Sequence, residues 1–402
     1  MAKAAFESID FESHSGSHHR LGVVNHIFFL SLAQTSLDQV AQIAKVVAAD
    51  SKLQGGLGTS AKRSRQRIRA MDFSPSSNDM KKKSITATMI TKQSMLLCCK
   101  LYISESRNTE AMETVERAGG LDPETVIIKK FEDRDYNRVR YTLVSYVAHD
   151  TTGNAVYSPL QQTVIAMVEA AYESINLELH SGAHPRLGVV DHICFHPLSR
   201  ASLDEAAWLA KLVATDIGNR LQVPVYLYEA AHPTGKALDT IRRELGYFRP
   251  NSMGQWVGWA LPEILPHIPD VGPTQVSRDR GIAVIGASPW YVTYNVPLMS
   301  TDLSAARKIA RLVSERGGGL PTVQSLGLVH GEQSTEVSCI LLEPDRVGAD
   351  RVQSQVEILA AQEGLDVEKG YFTDFSPEMI VETYRKLVSG GEGKHGLMKL
   401  SI

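Results

Sequence analysis

The chain has 402 residues, 43% hydrophobic and 22% charged, enough apolar material for two to three ordinary domains and too much for a mostly disordered chain. Lys and Arg number 42 against 45 Asp and Glu, a net charge of −3, so no overall field draws the molecule to nucleic acid or to an anionic membrane. Four cysteines (Cys98, Cys99, Cys194 and Cys339) are too few for a disulfide scaffold and point to a reducing, cytoplasmic setting. No apolar run approaches the roughly 18–20 residues that a bilayer crossing needs, and the N-terminus lacks the apolar stretch of a signal peptide.

In chain order, a repeat comes first. Residues 4–50 match residues 170–216 without a gap, with about 28 of the 47 positions identical. The centre of the match is HSGSHHRLGVVNHI against HSGAHPRLGVVDHI. Two copies make no solenoid, and a copy cut off from its sheet partners has little to bury against. Residues 1–94 are therefore expected to be a poorly ordered remnant of a duplication. They end in the basic stretches AKRSRQRIRAMD and MKKKS, which lack aromatic or amphipathic patterning and read as a solvated linker.

From Met95 the pattern is regular. LLCCKLYI (96–103) is fit for a buried strand, RNTEAMETVERAGG has helical spacing ended by Gly119 and Gly120, and VIIKKF and RVRYTLVSYV are strands joined by EDRDYN. SPLQQTVIAMVEAAYESI (158–175) opens as a helix on Ser158 and Pro159. A strand near 188–195, a helix opened by the capping box SLDE, and the strand VPVYLY follow. Residues 232–280 are irregular and rich in Pro and aromatics, and a connection that long is more often functional than idle. The second unit is expected to start with one strand over 282–298. A helix from Ser300 through Arg316, the strands TVQSLGLV and EVSCILLE, a helix over 349–362, a strand over 366–372 and a helix from Ser376 complete it. Two units of β-α-β-β-α-β order imply an α+β protein of two ferredoxin-like subdomains, 95–281 and 282–390, with a ligand groove between them and a tail over 391–402.

The densest chemistry is HSGAHPRLGVVDHICFHP (180–197). Its histidines, His180, His184, His192 and His196, fit neither a finger nor a helical metal pair, since Gly182 and Pro185 break the helix. His192 and His196 share one face of a strand and read as core residues. His184 differs: Gly182 and Pro185 fix its backbone, and Arg186, two residues on, offers a fork for a carboxylate. That suits general acid–base work on a carboxylate-bearing substrate, with Asp191 holding an imidazole or the arginine.

LHSGAHPRLGVVDHICFHPL resembles the H-x-G-E-H-P-R-M-G-x-x-D-V-x-P-F-x-P motif of the glutamate formiminotransferase family, and the likeness runs over about residues 95–388. The overall run is most similar to the stand-alone plant proteins of that family. The resemblance implies that His184 is the catalytic histidine. It implies a folate-contacting segment over Gly272, Pro273, Thr274, Gln275, Val276, Ser277, Arg278, Asp279, Arg280 and Gly281, with Arg186, Asp191, Asn137 and Arg138 in support. The implied co-substrate is tetrahydrofolate and the implied partner a glutamate-type one-carbon donor, with no metal and no nucleic acid or membrane partner. A homodimer is expected. Nitrogen 5 of tetrahydrofolate would attack the amidine carbon of N-formiminoglutamate, with one imidazole serving both proton transfers.

The chain departs from the family pattern on the donor side. Tyr102 and Ile103 stand where the family has Asn and Phe, Ser106 replaces Gly, and Ala183 replaces the Glu before His-Pro. The alternative is thus a folate-binding member that has lost its donor site. In the N-terminal copy His18 is kept, but His19 stands for the Pro and Asn25 for the Asp, so no activity is expected there.

Overall fold

Alternation along the strands decides where polarity goes in this protein. The computed structural model describes residues 95–249, 256–257 and 265–389; the repeat with His18 and the tail over 391–402 lie outside them. The first elements are β1 (Leu96–Ile103), α1 (Thr109–Gly119), β2 (Val126–Asp133), β3 (Arg138–Tyr146), the short β4 (Ala148–His149) and β5 (Ala155–Tyr157), α2 (Pro159–Ser174), β6 (Ser181–Gly182) and β7 (Val190–Leu198). Then come α3 (Leu203–Arg220), β8 (Val225–Glu229), α4 (Leu238–Glu244), β9 (Trp256–Val257) and β10 (Ala283–Ala287). The second set is β11 (Val292–Leu298), α5 (Leu303–Val313), β12 (Val323–Val329), β13 (Thr335–Leu341), α6 (Ala349–Gln362), β14 (Tyr371–Phe372) and α7 (Pro377–Ser389).

Two main sheets result: a six-stranded one in the order β2-β3-β1-β7-β10-β8 and a four-stranded one in the order β12-β13-β11-β14. β1 runs antiparallel to β3 and β7, while β10 is parallel to β7 and β8. The residues expected to form one strand over 282–298 divide between the sheets. Ala283–Ala287 completes the first sheet and Val292–Leu298 opens the second, with Ser288, Pro289 and Trp290 in the connection. The strand expected over 366–372 shortens to Tyr371–Phe372, and the irregular span 232–280 contains α4.

In β1, Leu97, Cys99, Leu101 and Ile103 pack in the core that includes α1, α2 and α3, and Val139, Tyr141 and Leu143 of β3 join them. Period two sends Lys100, Tyr102, Arg138, Arg140 and Thr142 to the opposite face. In the second sheet Val296, Val337 and Cys339 pack with residues of α5 and α6. Lys100, buried in mid-sheet, is held by Asp374 at 3.3 Å, the Tyr291 carbonyl at 3.3 Å and the Trp290 ring at 3.9 Å. Helix α3 has the expected capping box of Ser202 and Glu205. Ser158 precedes α2 as expected, but its hydroxyl donates to the Tyr146 carbonyl instead of capping the helix. Among the described residues no helix is long and apolar enough to cross a membrane.

Candidate functional site

The polar faces of the two sheets enclose a cavity of about 400 Å³. Arg138, Arg140 and His192 reach it from the first sheet, Asn295 and Ser338 from the second, and Arg242 from α4. His184 lines it as well. The passage around His184 is held close to the β2–β3 hairpin because Gly182 has no side chain: a Cβ there would stand 2.3 Å from the Tyr136 carbonyl oxygen. Asn137, in a left-handed conformation at φ 51°, ties the loops together. Its amide donates to the Ser181 carbonyl and accepts from the Ser106 N–H, and its carbonyl accepts from the His180 imidazole.

His184 Nδ1 lies 2.7 Å from the Pro185 carbonyl oxygen. A carbonyl only accepts, so Nδ1 carries the proton and Nε2 keeps a free lone pair. The rings of Tyr136 and Tyr247 contact this imidazole at centroid distances of 5.1 and 6.3 Å. Desolvation, aided by the cations Arg138, Arg242 and Arg186, holds its pKa well below the ordinary imidazole value against the pull of the Pro185 carbonyl. His184 is therefore neutral at physiological pH, a base whose Nε2 has no hydrogen-bond partner among the described residues.

The supporting residues rearrange the expected roles. Arg186, expected as the carboxylate fork, is buried, donates to the His180 carbonyl at 2.9 Å and is not among the residues that line the cavity. Burial draws its pKa down to about 10 despite Asp191. Asp191 holds an arginine, but that arginine is Arg138, at 2.9 Å, with Arg242 at 3.9 Å on the same oxygen. The other Asp191 oxygen accepts the Leu187 N–H. His192 borders the cavity, stacked on Tyr102 and bonded to the Tyr228 hydroxyl at 2.7 Å. His196 is a buried structural group facing the carbonyls of Ser288 and Pro289, and burial draws its pKa down to about 3.

None of the ten residues Gly272–Gly281 lines the cavity. Gly281 bridges to Gly188, Val189 N–H donates to the Arg280 carbonyl, and Leu177 N–H donates to the Asp279 carbonyl. The segment thus buttresses the passage that carries His184. Arg278 pairs with Glu178 on the surface, and Arg280 donates to the Leu221 carbonyl over the Tyr172 ring.

A second polar group lay beyond the sequence reading. Glu336, wholly buried in β13, accepts from the Tyr136 hydroxyl, the Asn295 amide and the Tyr371 hydroxyl. His330 lies 3.1 Å from Asp133, 3.9 Å from Asp135 and 3.6 Å from Glu336. Burial draws its pKa down, but the Asp133 bond and the charges of Glu336, Asp133 and Asp135 outweigh that and lift it to about 9. The ligand atoms of Asp133, Asp135 and His330 lie within 4.8 Å of one another, close enough for a metal ion, and the ion pairs already account for that proximity. The long sequence separation of these partners left no local pattern to find.

Comparison with known proteins gives one family. The profile of the formiminotransferase domain, N-terminal subdomain, matches residues 1–89 and 96–288, so the N-terminal copy matches as well as the body. A formiminotransferase cyclodeaminase-like protein of Arabidopsis thaliana is 52% identical over 296 residues, 73% of this chain and 98% of that protein. The glutamate formimidoyltransferase of Streptococcus pyogenes serotype M1 is 26% identical over 275 residues, 67% of this chain and 85% of that one. The formimidoyltransferase-cyclodeaminase of Sus scrofa is 30% identical over 268 residues, 64% of this chain but 46% of its own length. On its sequence matches, this chain belongs to the formiminotransferase family.

Proposed function

We propose that the protein is a folate-dependent one-carbon transferase, moving a formimino or formyl group between an N-substituted glutamate and nitrogen 5 of tetrahydrofolate. The observation that carries this is His184, a neutral imidazole whose Nε2 has no hydrogen-bond partner among the described residues, beside a cationic cavity. In the forward direction Nε2 takes the proton from nitrogen 5 as that nitrogen bonds to the one-carbon unit. The imidazolium so formed is a strong acid in this environment and hands the proton to the departing glutamate nitrogen. Holding both substrates in one cavity supplies much of the rate. The reacting end of the folate has to lie with His184, and residues 272–281 serve it from behind. The 2-3-1-4 order of the first four main strands in each sheet fits the ferredoxin-like reading, with the cavity as the groove between the two units.

Ala183 favours a second reading, a folate binder without transfer: it packs in the small apolar cluster of Tyr136, Leu326 and Leu328, and its side chain offers no charge to a donor where the family motif has Glu. One comparison separates the two. His184→Ala is expected to lower turnover with tetrahydrofolate and N-formiminoglutamate by about 10²–10⁴-fold while leaving folate affinity nearly unchanged. Folate binding by the unmutated protein without any transfer of a formimino or formyl group would establish the second reading instead.

A further inference from the structure

Two arginines share one carboxylate at the cavity. Asp191 meets Arg138 at 2.9 Å and Arg242 at 3.9 Å on the same oxygen, and only about a tenth of either arginine side chain is exposed. The trio therefore carries one surplus positive charge out of water, which is costly until a counter-charge arrives. The two acids on α4 offer no relief: Asp239 is engaged by Arg243 at 3.4 Å and Arg316 at 3.8 Å, and Glu244 pairs with Lys236 and lies 3.6 Å from His267. Arg242 is the less satisfied of the two cations. Its buried Nε has no hydrogen-bond acceptor among the described residues, and its guanidinium lies over the Tyr247 ring at 4.4 Å.

We propose that Arg242 is the specificity-determining residue of the cavity, taking a ligand carboxylate beside His184 while Asp191 holds Arg138 in place. The Nε and Nη edge of a guanidinium matches the two oxygens of a carboxylate, and one surplus charge matches one monoanion. Identifying that carboxylate as part of a glutamate-type ligand rests on the one-carbon transfer reading; the anchor itself rests on the charge count and the unpartnered Nε. Because Arg242 is among the cations that depress His184, a carboxylate on it also eases protonation of the imidazole once substrate is bound.

The test is calorimetric titration of the full chain with N-formyl-L-glutamate and with its uncharged diamide. The unmutated protein is expected to prefer the dicarboxylate, and Arg242→Gln to reduce that preference about tenfold to a hundredfold, the loss expected for a charge-assisted contact. Arg242→Lys, which keeps the charge but not the fork, is expected to retain part of it, and melting curves check that both variants fold. An unchanged preference in Arg242→Gln, or no preference in the unmutated protein, overturns the anchor. A preference that depends on Arg242 in a protein that transfers no one-carbon group keeps the anchor and removes the transferase reading. Transfer activity with an unchanged preference does the reverse.

Discussion

His184 and His330 both contact the ring of Tyr136, at centroid distances of 5.1 and 5.0 Å, yet their protonation is driven in opposite directions. Both lose solvent. His184 then faces Arg138, Arg242 and Arg186 and stays neutral, whereas His330 faces Asp133, Asp135 and Glu336 and is lifted to about 9. Burial alone lowers an imidazole pKa; the sign of the neighbouring charges decides whether that lowering is reinforced or reversed. The protein thus places a free base and a fixed cation on either side of one contact. The base borders the proposed reaction, and the cation links the hairpin that follows β2 with the second sheet.

The largest way to break this contrast is through Asp191. Asp191→Ala leaves Arg138 and Arg242 without their shared partner, and the expected loss is about 3–5 kcal/mol in denaturant melts, the scale for stripping one member from a buried ion pair. A smaller effect belongs to His330. Because its folded pKa is raised, its contribution is fully present below the unfolded value of about 6.5 and is lost as pH rises through about 9, up to about 3 kcal/mol in all. Melts of His330→Asn are expected to show a shallower decline across that window, and identical pH dependence in the two proteins would deny the link. Smallest is Arg278→Gln. Its pair with Glu178 is about half exposed on both sides, so the melt should move by less than about 1 kcal/mol.

Much of the site was legible where its residues are neighbours in the chain. Gly182, His184 and Pro185 mark the rigid loop, and RVRYTLVSYV reads as a strand, on which the structure puts Arg138 and Arg140 on one face. What stayed hidden was long-range. Arg186 looked like the anion fork because it is two residues from His184, but the backbone turns it toward the His180 carbonyl. Arg242, which lines the cavity where Arg186 does not, comes from a helix inside a span rich in proline that reads as irregular. The division of 282–298 was obscured by its continuous apolar character, although Pro289, which cannot donate to a central ladder, marks the break.

The central claim is tested most directly by titrating the ring nitrogens of ¹⁵N-histidine-labelled protein by NMR, with His184→Gln and His330→Gln to assign the two signals. The account predicts that His184 remains neutral, protonated on Nδ1, throughout the range in which exposed histidines titrate, about pH 6.5. It predicts that His330 stays charged until about pH 9. Two signals that titrate together near the ordinary imidazole value, or a His184 that is charged where His330 is neutral, would contradict it.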